Sequence, residues 1–202
     1  MAFTFFFRDE HLLNLIAKLV LPELTGFSRI KFWDAGCAMG PEPYSLAIVC
    51  AENMGKFAFR NICITATDID ESGEFGTVIR EGRYRDEEVK RMPNEILGRY
   101  FTVDPTSGTF VIDQGIRDSV RYYQHDLLGL RPIGIGFHLI LCKNVLLHFT
   151  PEERVEVIRM FHGALADGGY FCTEQTQKLP DELSHLFERV SEDGQLFRKK
   201  TP

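Results

Sequence analysis

Ile30-Lys31-Phe32-Trp33-Asp34-Ala35-Gly36-Cys37-Ala38-Met39-Gly40 is the stretch on which the fold turns. Residues 30–35 form a β-rich run, and Gly36 and Gly40 mark a tight turn directly behind it. Residues 43–53 then make an apolar segment of helical length. Strand, glycine turn and helix in that order open a parallel α/β sheet. The turn is not a phosphate loop: its spacing is Gly36-x-x-x-Gly40 rather than GxGxxG, and no Lys-Ser/Thr ending follows. Such a turn suits a nucleoside ligand without a pyrophosphate, and a purely structural glycine turn fits the same residues equally well.

The pattern extends in both directions. Upstream, residues 11–24 place Leu12, Leu13, Ile16, Leu19 and Val20 on one helical face, with Pro22 and Thr25-Gly26 closing it. Downstream, strands are expected over 62–67, more weakly over 120–124, and over 137–142, ending at Asp68, at His125-Asp126 and at Lys143-Asn144. A helix over 152–165, a turn at Asp167-Gly168-Gly169, a strand over 170–173 and a last edge strand over 196–199 continue the alternation. The expected fold class is α/β, Rossmann-like: a mostly parallel twisted sheet with helices on both faces. The interval 84–117 breaks the rhythm with a hairpin, Tyr100-Phe101-Thr102-Val103 against Phe110-Val111-Ile112, and reads as a small β-subdomain inserted in a single domain over 1–202.

Composition narrows the function. A chain of 202 residues with 44% hydrophobic side chains supports one full core. A formal charge of −6 argues against nucleic-acid binding by counterion release. No apolar run approaches the about 20 residues of a membrane span, and the N-terminus lacks a basic leader, so neither insertion nor secretion is expected. The five cysteines contain no CxxC pair and read as reduced thiols of a cytoplasmic protein. The histidines lack ligand spacing, so no metal site is expected.

In open parallel sheets, ligands gather beyond the carboxyl ends of the strands. The strand tips here carry Asp34, Asp68, Asp126 and Asn144. Asp68 stands where an acid commonly takes a ribose diol; capping of the next helix by Asp68 or Asp70 is the even alternative. Arg8, after Phe5-Phe6-Phe7, is a candidate carboxylate clamp held by an aromatic cluster, with a surface ion pair as the alternative. His148 lies just after the Asn144 strand end. Cys37 and Cys142 read as small buried hydrophobes, and the mixed charges of 80–91 as a solvated helix.

Taken together, TFFFRD (4–9), AGCAMGPEPYSLA (35–47), ATDID (66–70), EGRY (81–84), RYF (99–101), HDLL (125–128), CKNVLLHF (142–149) and DGGY (167–170) resemble the CheR family, the chemotaxis receptor glutamate O-methyltransferases that use S-adenosylmethionine. The resemblance runs through the whole chain. It implies that Thr4 and Arg8 belong to a segment closing over the cofactor, that Gly36 lies in the cofactor turn, and that Glu42 is the acidic contact behind that turn. It further implies that Asp68 takes the ribose hydroxyls, that Asp126 and Leu127 flank the adenine, and that Asn144 and Val145 line the cofactor near the transferred methyl. The implied partner is a chemoreceptor or another acidic protein, with a hairpin that docks a receptor tail in some family members. A small-acid methyltransferase and a non-catalytic module binding S-adenosylhomocysteine or a peptide are the alternatives.

Departures from the family pattern fall at Ala2, Pro41, Asp126, His148 and Thr173-Glu174-Gln175-Thr176, and the sequence opens at the phenylalanines that follow a helical domain in the family, a domain expected to be either cut away or naturally absent. A carboxylate acceptor is already ionised at neutral pH and needs no general base, so catalytic residues would be few. Arg8, as an orienting group, and His148, offering an N–H where the family has a tyrosine, are the catalytic candidates.

Overall fold

The computed structural model describes residues 4–201. A seven-stranded sheet runs in the order β6-β2-β1-β7-β8-β10-β9. Its strands are β1 (Ile30–Ala35), β2 (Ile62–Asp68), β6 (Val120–Gln124), β7 (Phe137–Leu141), β8 (Leu165–Cys172), β9 (Phe187–Arg189) and β10 (Leu196–Lys199). β6, β2, β1, β7 and β8 are parallel, whereas β10 is antiparallel to both β8 and β9. The chain steps outward from β1 through β2 to β6, then restarts on the other side of β1 at β7. The strand order therefore reverses between β1 and β7, and the crevice beyond their carboxyl ends is where such sheets bind ligands.

Alternation along β1 sorts the core into two layers. Ile30 and Phe32 pack with Leu46, Ile48 and Cys50 of helix α2 (Pro41–Phe59), while Trp33 and Ala35 face Val157, Ile158 and Phe161 of helix α7 (Pro151–Ala164). Trp33 meets Phe161 edge to face at 5.1 Å and donates from Nε1 to Thr67 Oγ1 at 2.8 Å, so its one polar atom is satisfied inside the core. By the same alternation Asp34 shares the Phe32 face, at the end where α2 begins.

The remaining helices are α1 (Glu10–Leu15), α3 (Phe75–Glu81), α4 (Asp86–Val89), α5 (Asn94–Tyr100) and α6 (Gln114–Asp118). The predicted hairpin is present as β4 (Phe101–Val103) against β5 (Phe110–Ile112), with β3 (Arg83–Tyr84) on the other side of β5. Phe6 is 2% exposed and sits edge to face against Tyr84 at 4.9 Å and Phe101 at 5.4 Å. The leading segment is thereby fastened to this small sheet, and a Phe7 N–H donated to Ser45 Oγ at 2.9 Å fastens it to α2 as well.

Several expectations need correction. The tail is not the edge: β9 lies outside it, a three-residue strand too short to announce itself. The Asp167-Gly168-Gly169 turn lies inside β8 as an irregularity, because Leu165 pairs with Phe137 and Tyr170 with Leu139, leaving the intervening residues to bulge. Residues 80–91 are not one helix but the end of α3, then β3, then α4. The first helix keeps α geometry only to Leu15 and continues as π and 3-10 turns to Leu24, since Pro22 cannot join the α ladder.

Candidate cofactor site

The site is built from loops at the carboxyl ends of β1, β2 and β7. On β1, the Asp34 side chain is 0% exposed and neither carboxylate oxygen has a hydrogen-bond partner. Glu42 faces it from the first turn of α2; its Oε2 accepts from Lys143 Nζ at 2.8 Å, while its Oε1 is buried without a partner. Lys143, just past β7, has a side chain only 4% exposed and also lies 3.8 Å from Asp9 Oδ2. One lysine thus faces an acidic cluster drawn from three separate segments, Asp9, Asp34 and Glu42.

Electrostatics follow from that imbalance. Burial pushes the Asp34 carboxyl well above the usual carboxylate range, the Glu42 charge adds to this, and Lys143 only partly offsets it. Burial alone would lower Lys143, but the charge and hydrogen bond of Glu42, with Asp9, more than compensate, and its net shift is upward.

The glycine turn is pinned to β2: Gly36 N and Cys37 N donate to Thr67 O at 2.7 and 3.0 Å, and Ala38 N donates to Asp68 Oδ2 at 2.9 Å. Asp68 Oδ1 accepts from Asp70 N at 3.2 Å. Each Asp68 oxygen keeps lone-pair capacity for a further donor such as a hydroxyl. The capping alternative belongs to Asp70, which accepts from Glu74 N, Phe75 N and Tyr122 Oη at the start of α3. Gly36 itself answers to the protein rather than to a ligand: a Cβ there would come 2.1 Å from Val145 Cγ2, and its φ is +105°.

Beyond β7, Asn144 adopts a left-handed φ of +57°, rare for a non-glycine residue. Its N–H donates to Glu174 Oε2 at 2.9 Å, an oxygen that also accepts from Thr173 Oγ1 at 2.7 Å. Glu174 is 6% exposed and its Oε1 has no partner. Val145 follows over Gly36, and His148 is exposed on the same loop.

Gly36, Glu42, Asp68, Asn144 and Val145 therefore converge on one end of the sheet. Arg8 is exposed beside Asp9, whose carboxylate caps α1 through Leu12 N and reaches toward Lys143; Thr4 is half-buried at the start of that segment. Asp126 is exposed and caps a short turn through Leu128 N at 2.9 Å, while Leu127 is buried in the cluster around Trp33. Ala2 lies outside the described residues. The residues that sequence reasoning missed are Lys143, Glu174 and Asp9, and Asp34 was noted only as a strand tip. The signal for Asp34 and Lys143 was present: each is a charge attached to an otherwise apolar strand.

The donor set selects the ligand's chemistry. Asp34, Glu42, Asp68 and Glu174 offer acceptor oxygens, several of them orphaned, around the Lys143 ammonium. A phosphate would be repelled, whereas a ligand bearing an ammonium, a sulfonium and a sugar diol finds counterparts, so the residues present fit S-adenosylmethionine. Cavities of about 810 Å³ beside Ala51 and Tyr100 and about 520 Å³ beside Gln195 and Phe197 open elsewhere and gather none of these side chains.

Residues 2–195 match the family model of the CheR methyltransferase SAM-binding domain. The chain belongs to the CheR methyltransferase family. Chemotaxis protein methyltransferase 1 of Pseudomonas aeruginosa is 32% identical over 98% of this chain and 73% of its own length. A probable chemotaxis protein methyltransferase of Rhizobium etli is 27% identical over 93% of this chain and 72% of its own length. Among solved structures, the N-methyltransferase NodS of Bradyrhizobium japonicum with S-adenosyl-L-homocysteine aligns with TM-score 0.53 at 14% identity, over 96% of this chain and 88% of that one. A methyltransferase from Geobacter sulfurreducens gives 0.54 at 13% identity, over 96% and 80%. These two likenesses concern the fold. As a CheR-family methyltransferase, the chain uses S-adenosylmethionine and releases S-adenosylhomocysteine. Among the described residues no helix is long and apolar enough to cross a membrane.

Proposed function

We propose that this CheR-family protein methylates glutamate side-chain carboxylates of a chemoreceptor-like protein in the cytoplasm. The observation that carries the reading is the family match over nearly the whole chain, joined to a strand-tip crevice whose orphaned carboxylates suit a cationic nucleoside. S-adenosylmethionine, when bound, supplies an electrophilic methyl group. Asp68 holds the ribose hydroxyls and Glu42 the amino group, with the Gly36 turn beneath them. Asp126 and Leu127 flank the adenine. Asn144 and Val145, on the strained turn after β7, line the position of the methyl, and Thr4 and Arg8 cover it from the leading segment.

The acceptor glutamate, with a solution pKa of about 4.3, arrives ionised, so no residue has to remove a proton. What the chain supplies is alignment and exclusion of water, a positioning effect that can contribute several kcal/mol. Arg8 orients the acceptor carboxylate; a tight ion pair would stabilise the reactant over the charge-neutralised transition state, so its role is orientation first. His148 offers an N–H to the acceptor. Residues 84–117 act as an inserted subdomain carrying the β3-β5-β4 sheet.

The test is transfer of a labelled methyl from S-adenosylmethionine to a receptor signalling-domain fragment, with alkali-labile label recovered on glutamate as the expected result. Transfer to small acids but not to receptor fragments would overturn the substrate class, and cofactor binding without transfer to any acidic acceptor would overturn the enzymatic reading. Replacing His148 with Tyr and finding an unchanged pH-rate profile would remove the histidine from the account.

A further inference from the structure

Asp34 is the feature of the site that the assignments above leave unused. A carboxylate buried at 0% exposure with both oxygens unpartnered is expensive, and among the groups acting on it is another carboxylate, Glu42, which itself has an orphaned oxygen. Two carboxyls that face each other without intervening donors have one inexpensive arrangement: a single proton between them, one acid donating to the other.

We propose that Asp34 holds a proton, donated toward Glu42, when the site is empty and releases it to solvent when the cofactor's ammonium docks on Glu42. This rests on the cofactor reading given above. The exchange balances: the Asp34 carboxyl O–H bond breaks, its proton passes to buffer, the incoming N–H donors become partners of the Glu42 oxygens, and the added positive charge beside the pair offsets the charge that Asp34 acquires. Asp34 is thus a positioning residue, acting on the ligand through Glu42.

The surrounding charges support this assignment. The pair faces Lys143 from the β7 end and Asp68 from the β2 end, with Asp9 beyond Lys143 and Glu174, just past β8, beyond Cys142; the thiols of Cys37, Cys142 and Cys172 are the other neighbours. Lys143 donates to Glu42 Oε2 and makes no hydrogen bond to either Asp34 oxygen. Asp34 is held upward by burial first and by Glu42 second, the order expected for an acid kept neutral beside an anion.

The experiment is calorimetric titration of the full chain with S-adenosylhomocysteine in phosphate and in Tris, which differ in heat of protonation. Wild-type protein should bind with different apparent enthalpies in the two buffers, corresponding to release of up to about one proton, and its affinity should rise with pH by as much as about tenfold per unit. Asp34→Asn, which retains a donor toward Glu42, should still bind but with equal heats and a flat pH dependence. Equal wild-type heats in both buffers, or undiminished release from Asp34→Asn, would overturn the inference. Absence of any binding to folded wild type would instead overturn the cofactor reading. The wild-type buffer comparison and pH dependence stand as the test if the variant does not fold.

Discussion

Lys143→Met is the most informative perturbation of this architecture. The wild-type ammonium is 2.8 Å from Glu42 and 3.8 Å from Asp9, its side chain is 4% exposed, and it is the cation that offsets Asp34 as well. Removing it leaves Glu42 largely buried and unpaired beside an acid already short of partners. Breaking a buried pair from one side costs about 3–5 kcal/mol, a large part of the about 5–15 kcal/mol that a domain has in total. The loss must depend on pH in a particular direction. Asp34 is already held above its unfolded titration range, and without the lysine, the charge that lowers it, it is held higher still. A group raised on folding contributes its stability fully below the unfolded value and loses it as pH rises through the folded value. The deficit of the variant should therefore be greatest near about pH 8 and shrink toward about pH 5, by at most about 1.4 kcal/mol per pH unit for each extra proton bound.

Urea unfolding followed by the emission of Trp33, the chain's single tryptophan and wholly buried, reads the difference directly. Adding Glu42→Gln to Lys143→Met should recover most of the loss, because the orphaned charge goes with it. A deficit below about 1 kcal/mol that is the same at both pH values would refute the reasoning.

Further outcomes are expected at other positions. Asp68→Ala should weaken S-adenosylhomocysteine by about 1.5–3 kcal/mol, roughly ten- to a hundredfold, measured by calorimetry, since it removes a charged acceptor and frees the Ala38 and Asp70 N–H groups that hold the turn. Gly36→Ala should lower stability by about 1–3 kcal/mol in thermal melts, and Val145→Ala should restore part of it, because the new methyl meets Val145 Cγ2 at 2.1 Å. Arg8→Ala should reduce turnover strongly and weaken S-adenosylhomocysteine; wild-type affinity in that variant would remove Arg8 from the site.

The sequence was most legible where one physical signal acted alone. β1 falls at the expected residues because its run is largely apolar and ends in a glycine turn, and β6 and β10 fall there on shorter signals, the Val-x-Tyr-Tyr and Leu-Phe starts of their runs. β2 extends only to Asp68, the residue already singled out as its tip. Legibility failed where tertiary pairing decides. Phe187-Glu188-Arg189 becomes a strand only because β10 supplies its partner, and the Asp167-Gly168-Gly169 turn is absorbed into β8 by its register with β7. The helix expected over 43–53, by contrast, was legible at its end, because α2 breaks at Gly55 (φ +75°, ψ 162°) before a further stretch reaches Phe59. At the site, residues with strand-end positions were visible, but the pairing of Glu42 with a lysine 101 residues away was not, since proximity across the sheet reversal leaves no local trace. Gly36 shows the converse: its place was legible, but its reason, contact with Val145, required the fold.

A crystal structure of the chain with S-adenosylhomocysteine most directly tests the claim that the cofactor lies across the tips of β1, β2 and β7. The ribose hydroxyls should lie within hydrogen-bonding distance of Asp68 and the amino group against Glu42, with the segment carrying Arg8 over the far end. Electron density for the ligand on another face, or a complex in which Asp68 and Glu42 keep only their present protein partners, would contradict it.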